Sequence, residues 1–208
     1  MRSRPPHTRK SVAAASPPAR QRSVEAHPVS KAWRIVLRSP RQTHRLGCCL
    51  GKLLQGGEVV ALFGELGTGK TSLVRGIAEG LLAEPVEVSS PTFTLIHEYR
   101  GRLRLIHTDL YRLTASQLED TGLSDYLDGH TVTAIEWTDR WGNGLPPDRL
   151  EIHLSHRLAA TRRAVLRANG ISACRLLTTL RAHLSKSRPT REPRQTRVQL
   201  PRSRRAAL

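Results

Sequence analysis

The chain has 208 residues, 38% apolar and 25% charged, enough for one domain with a lean core and little left over for a second. No apolar run approaches the ~20 residues that span a bilayer, and no short apolar segment follows the N-terminal charges, so neither a transmembrane helix nor a secretory leader is expected. The net charge of +17 is uneven: residues 1–31 carry +6, residues 171–208 carry +9, and residues 32–170 only +2.

The basic excess therefore belongs to the two ends, and the middle reads as a near-neutral domain. Residues 1–31 are rich in Pro, Ser, Ala and Arg and poor in large apolar side chains, so they predict a disordered extension. The same composition fits an organelle transit peptide, although its proline pairs break an amphipathic helix, and a start codon placed too early is a third reading. Residues 186–208 predict a solvated basic tail, leaving a domain at 32–185. Cys48, Cys49 and Cys174 cannot all pair and lack a zinc spacing, which points to a reduced, cytosolic compartment.

Within the domain the pattern is α/β. Ser39-Pro40 predicts a helix start, and Leu46, Cys49, Leu50, Leu53 and Leu54 follow at helical spacing until Gly56-Gly57. Residues 58–63 (EVVALF) read as a buried strand, and Leu73, Val74, Ile77, Leu81 and Leu82 mark the next helix, ended by Pro85. Residues 94–99 and 103–108 predict a hairpin turned by Arg100-Gly101-Arg102. A helix is expected from Ser116 to Leu127, with Ser116 and Glu119 as a capping box. Residues 131–137 (TVTAIEW) predict a strand, 149–155 and 163–168 an antiparallel pair, and 171–184 a closing helix.

Between the first strand and the second helix lies Gly64-Glu65-Leu66-Gly67-Thr68-Gly69-Lys70-Thr71, a complete GxxxxGK[ST] phosphate loop in its proper strand-to-helix context. Gly64, Gly67 and Gly69 permit backbone angles and close approach that a β-carbon would block. The amides of Leu66 through Thr71 then converge on phosphate at the positive end of a helix dipole. Lys70 would bridge β- and γ-phosphates, Thr71 would ligate Mg²⁺, and Ser72 would reach the α-phosphate. A second magnesium ligand is expected at a strand end, where Glu136 and Asp109 both qualify. A phosphate loop by itself does not separate hydrolysis from kinase transfer.

GELGTGKTSLVRG, SSPTFTLIHEY, HTDLYRL and AIEW, in this order and near these intervals, resemble the TsaE family of P-loop ATPases that support tRNA threonylcarbamoyladenosine biosynthesis. The resemblance covers about residues 33–184. It implies a P-loop α/β fold with a mixed sheet flanked by helices, binding ATP and Mg²⁺. It also implies Thr71 and Glu136 on the metal, Asp109 positioning the attacking water, and Thr92 sensing the γ-phosphate. Trp137 would lie close to the nucleotide, and Thr43 and Arg162 would border the adenine. The family often has glycine where this chain has Thr161, just before Arg162. No arginine finger is evident; Arg112 and Arg140 are candidates by proximity alone, so slow intrinsic turnover is expected. The implied partners are a TsaD-type transferase and its TsaB-type companion, with the basic ends as a further candidate for tRNA contact by counterion release. Two other readings stay open: a small-molecule P-loop kinase, and a basic RNA-binding scaffold on a nucleotide fold.

Overall fold

The computed structural model describes residues 32–82, 90–91, 94–114, 117–118, 121–158 and 160–186. The expectations for residues 1–31 and 187–208, for Thr92 and for the Ser116/Glu119 capping box lie outside them. Seven strands run in chain order: β1 (Trp33–Leu37), β2 (Val59–Phe63), β3 (Ile96–Tyr99), β4 (Leu105–Asp109), β5 (Val132–Glu136), β6 (Arg149–Leu158) and β7 (Thr161–Asn169). They form one mixed sheet in the order β1-β7-β6-β2-β5-β4-β3. Among the described residues, three complete helices flank it: α1 (Pro40–Leu53), α2 (Lys70–Gly80) and α3 (Ile171–Lys186).

β2, β4 and β5 occupy adjacent or near-adjacent central positions, buried on both faces; β2 is accordingly an unbroken apolar run, whereas β4 and β5 carry buried polar side chains toward their carboxyl ends. β5 is parallel to both β2 and β4, with Leu62 and Asp109 each in register with Glu136. Three carboxyl ends therefore meet at one edge of the sheet, where open α/β sheets place their ligands. β1 pairs with β7 at one sheet margin and β3 with β4 at the other, both antiparallel.

One face of the sheet carries the main core under the three helices, including Leu50, Leu62, Leu73, Ile77, Leu166 and Leu177. A smaller cluster of Val59, Leu110, Leu118, Leu123 and Ile135 fills the opposite face. α1 starts as its sequence dictates, with Ser39 accepting a hydrogen bond from the Gln42 amide and Pro40 at the first helical position. Its crossing with α2 is unusually close. A Cβ at Gly47 would lie 2.1 Å from the Leu73 carbonyl oxygen, and one at Gly76 2.1 Å from that of His44. Gly51 and Gly80 repeat the arrangement one turn on, so backbone meets backbone along the crossing. The start of α3 is capped from afar: Asp148 accepts from the amides of Ser172 and Ala173, each at 2.9 Å.

Two elements depart from expectation. The 33–37 strand was not predicted. The expected continuous helix through Leu127 does not form either: Gly122 adopts φ +63° and a four-residue 3-10 turn, Leu123–Tyr126, follows it. A left-handed residue ends the α-helical hydrogen-bond ladder, so residues 123–126 lie against the smaller core as a 3-10 turn.

Candidate functional site: the phosphate loop and its strand-end carboxylates

The loop leaves β2 at Gly64, whose φ of +138° and whose contact with the Leu154 carbonyl exclude any side chain; a Cβ there would sit 2.2 Å from that oxygen. Gly69 is left-handed and caps α2 without a side-chain hydrogen bond, leaving the first amides of the helix for a ligand. Thr68 is buried, and its hydroxyl donates to the Glu65 carbonyl at 2.8 Å, bracing the turn. Leu66 at the loop tip is 74% exposed.

Lys70 is 4% exposed and folds back into the loop, its Nζ donating to the carbonyls of Gly64 at 2.7 Å and Glu65 at 3.1 Å. The same ammonium lies 3.8 Å from the ring centroid of Trp137. Burial pushes the Lys70 pKa below its ordinary value, while the charges of Glu136, Asp109 and Asp139 oppose that shift.

Thr71, one residue further, donates from Oγ1 to Glu136 Oε2 at 3.1 Å. Glu136 is buried at the end of β5, and its other oxygen, Oε1, is 2.9 Å from His107 Nε2 on β4. A carboxylate at that contact can only accept, so the proton sits on Nε2, and His107 Nδ1 is a buried nitrogen without a partner among the described residues. Asp109, in register with Glu136, accepts a hydrogen bond from the Ser90 hydroxyl at Oδ2 and one from the Tyr111 amide at Oδ1, 2.9 Å away. Both carboxylates thus stand at the carboxyl edge, with Glu136 pinned by Thr71 and His107.

Trp137 follows β5 with φ +58° and carries Tyr111 against its ring, centroids 4.8 Å apart. Thr138 anchors this bend by donating to the carbonyls of Leu62 and Ile135. Arg162, at the start of β7, donates from Nε to the Thr68 carbonyl at 3.2 Å and from a terminal nitrogen to that of Gly67 at 3.4 Å. Thr43, on α1, is fully buried with its hydroxyl unpartnered among the described residues, and it lies on the Gly69 side of the loop. Ser72 lies one position past Thr71 on α2 and faces the groove beside His44 and Glu79.

The predicted residues Gly64, Leu66, Gly67, Thr68, Gly69, Lys70, Thr71, Asp109, Glu136, Trp137, Thr43 and Arg162 therefore stand on or around one loop. His107 went unnoticed in the sequence. Its only signal is a polar residue inside an apolar strand, two positions before Asp109. His156, whose Nε2 is 3.4 Å from the Leu66 carbonyl, also went unnoticed.

Comparisons with known proteins identify the family. Residues 37–165 match the family described as "Threonylcarbamoyl adenosine biosynthesis protein TsaE". The tRNA threonylcarbamoyladenosine biosynthesis protein TsaE of Treponema pallidum is 43% identical over 122 residues, 58% of this chain and 90% of the relative. That of Bacillus subtilis is 40% identical over 121 residues, 58% of this chain and 74% of the relative. The crystal structure of Bacillus subtilis YdiB superposes with a TM-score of 0.63 at 31% identity, covering 76% of this chain and 98% of that one. Among the described residues no helix is long and apolar enough to cross a membrane. With the family matched over more than half its length and its motifs assembled around one loop, the chain belongs to the TsaE family.

Proposed function

We propose that the chain binds ATP with Mg²⁺ on the Gly64–Thr71 loop and hydrolyses it slowly, as the ATPase supporting threonylcarbamoyladenosine formation on tRNA. Threonylcarbamoyl transfer itself falls to a TsaD-type transferase with its TsaB-type companion, whose engagement raises turnover or reads the ATP-bound state as a switch. The observation that carries this reading is the contact between Thr71 and Glu136, 3.1 Å, beside a lysine folded into the loop.

The donors offered there fit the ion. Thr71, Glu136 and Asp109 are hard oxygen ligands of the kind Mg²⁺ takes. Thr71 and Glu136 would hold it, and once bound it withdraws charge from the phosphate oxygens. Lys70 exchanges two neutral carbonyls for anionic oxygens of the β- and γ-phosphates, a stronger pair of acceptors. The uncapped amides at the start of α2 close around the same group. Asp109, oriented through both oxygens by Ser90 and Tyr111, positions water for in-line attack. Arg162 engages three carbonyls, those of Gly67, Thr68 and Ala160, rather than facing the loop as a free cation, which is consistent with slow turnover by the lone chain.

The test is ATP binding and hydrolysis by wild type, Lys70→Ala and Glu136→Ala, alone and with the two partner proteins, with no small-molecule acceptor. Lys70→Ala should lose at least about tenfold in ATP affinity. Glu136→Ala should retain metal-free ATP binding and lose magnesium-dependent turnover. Kinase-like rates from the lone chain, or turnover only after an acceptor is added, would contradict the reading. If the basic ends contact tRNA, removing residues 1–31 and 186–208 weakens tRNA association and flattens its salt dependence.

A further inference from the structure

Away from the phosphate loop, on the outer side of the α1/α2 crossing, His44 and Cys48 stand four residues apart on one face of α1. His44 Nδ1 is 3.6 Å from Cys48 Sγ, and His44 Nε2 is 3.3 Å from Glu79 Oε2 on α2. One donor atom from each residue lies within 4.8 Å of the other two. The crossing itself creates this proximity, because glycines 47 and 76 bring the two backbones into contact between the ligands.

We propose that His44, Cys48 and Glu79 form a site for a thiophilic divalent cation, Zn²⁺ by preference, that staples α1 to the phosphate-loop helix α2. Two donors at i and i+4 on one helix face are a recurrent zinc chelate. With Zn–N near ~2.05 Å and Zn–S near ~2.3 Å, tetrahedral coordination sets the N···S edge at about 3.6 Å, the separation already present between His44 Nδ1 and Cys48 Sγ. Glu79 rests on the far ring nitrogen, Nε2, and its side chain, 66% exposed, is free to turn from there onto an ion held at Nδ1 and Sγ as a third corner, with water as the fourth. A thiolate and an imidazole select zinc-like ions over Mg²⁺, so this site and the Thr71/Glu136 pair do not compete for one metal. Thiol, imidazole and carboxylate in this order could also suggest a nucleophilic triad. Burial and the Glu79 charge hold the thiol up at about 11, the wrong direction for a nucleophile activated by its neighbours alone, whereas a bound divalent cation itself drives off the thiol proton.

The experiment uses the full metal-stripped chain titrated with Co²⁺ as a spectroscopic probe, followed by displacement with Zn²⁺. One equivalent of Co²⁺ should produce a thiolate-to-metal charge-transfer band that Zn²⁺ abolishes. The band should vanish in Cys48→Ser and persist in Cys49→Ser and Cys174→Ser. Cobalt affinity should fall at least about tenfold in His44→Ala and in Glu79→Ala. On the unmodified chain, Zn²⁺ should protect Cys48, and not Cys174, from alkylation mapped by mass spectrometry, a readout that needs no variant to fold. A missing band at one equivalent, a band that survives Cys48→Ser, affinity unchanged in Glu79→Ala, or Cys48 alkylated equally fast with Zn²⁺ present would each overturn the proposal.

Discussion

Gly47→Ala isolates the helix crossing that holds the phosphate-loop helix in place. In an ordinary exposed helix the change would stabilise by about 1 kcal/mol through propensity. Here the added methyl carbon would lie 2.1 Å from the Leu73 carbonyl oxygen and 3.0 Å from the Gly76 Cα, whereas ordinary contact starts at 3.4 Å. The difference, 3.4 less 2.1, requires the helices to part by about 1.3 Å at that point. Neither obstacle is a side chain with another rotamer, and the fully buried Leu50, Leu73 and Ile77 lose packing as the crossing opens. Overpacking costs ~1–3 kcal/mol, and with backbone rather than side chain as the obstacle the upper end, ~3 kcal/mol, applies, which outweighs the propensity gain. A net loss of about 2 kcal/mol, a melting temperature lower by about 4–8 °C, is expected from urea and thermal unfolding. Because Lys70 and Thr71 ride on α2, ATP affinity should fall with it. Gly129→Ala serves as the control, since a Cβ there meets nothing within 4 Å; its stability should stay within about 0.5 kcal/mol of wild type. A Gly47→Ala protein as stable as wild type would refute the reasoning.

Three further outcomes follow from the same contacts. Lys70 Nζ rests 3.8 Å from the Trp137 ring centroid, so ATP binding that draws the ammonium onto phosphate should change tryptophan fluorescence; Trp137→Phe should bind ATP and lose most of that signal. The Cys48 thiol, raised from 9.0 to about 11, holds about a hundredfold less thiolate at pH 8 than an unshifted thiol. Its alkylation in the metal-free chain should therefore keep accelerating up to pH 10, and Glu79→Gln should speed it at pH 8. His107→Leu strips Glu136 Oε1 of its buried donor, 2.9 Å away, and should destabilise the domain by about 1–3 kcal/mol in urea, with His107→Asn recovering part of the loss.

The parts of this protein visible in its sequence are those coded locally. The glycines and Lys70 of the loop, the Ser39-Pro40 helix start, the apolar run of β2 and the β-branched residues of β5 each carry their own signal within a few residues. Glu136 and Asp109 were legible as strand-end acids. Their shared edge was not, because it depends on β5 lying between β2 and β4. β1 escaped notice because five residues alternating in burial mean little until β7, more than a hundred positions later, supplies the partner strand. The segment expected as one helix up to Leu127 carries a capping-box pattern at its start, but Gly122 turns left-handed and Leu123, packed in the smaller core, begins a 3-10 turn instead. Gly47, Gly51, Gly76 and Gly80 look like four weak points in two helices until the crossing shows that nothing larger fits. His107 and the His44–Cys48–Glu79 cluster share that fate: each needs a residue from another element to acquire a role.

The most direct test of the phosphate-loop account is calorimetric: ATP affinity measured with and without Mg²⁺ for wild type, Thr71→Ala and Glu136→Ala. The account predicts that Mg²⁺ tightens binding to wild type and that this increment disappears in both variants, while metal-free affinity is retained. An increment that survives the loss of either the hydroxyl or the carboxylate would contradict the pairing of Thr71 with Glu136 around the ion.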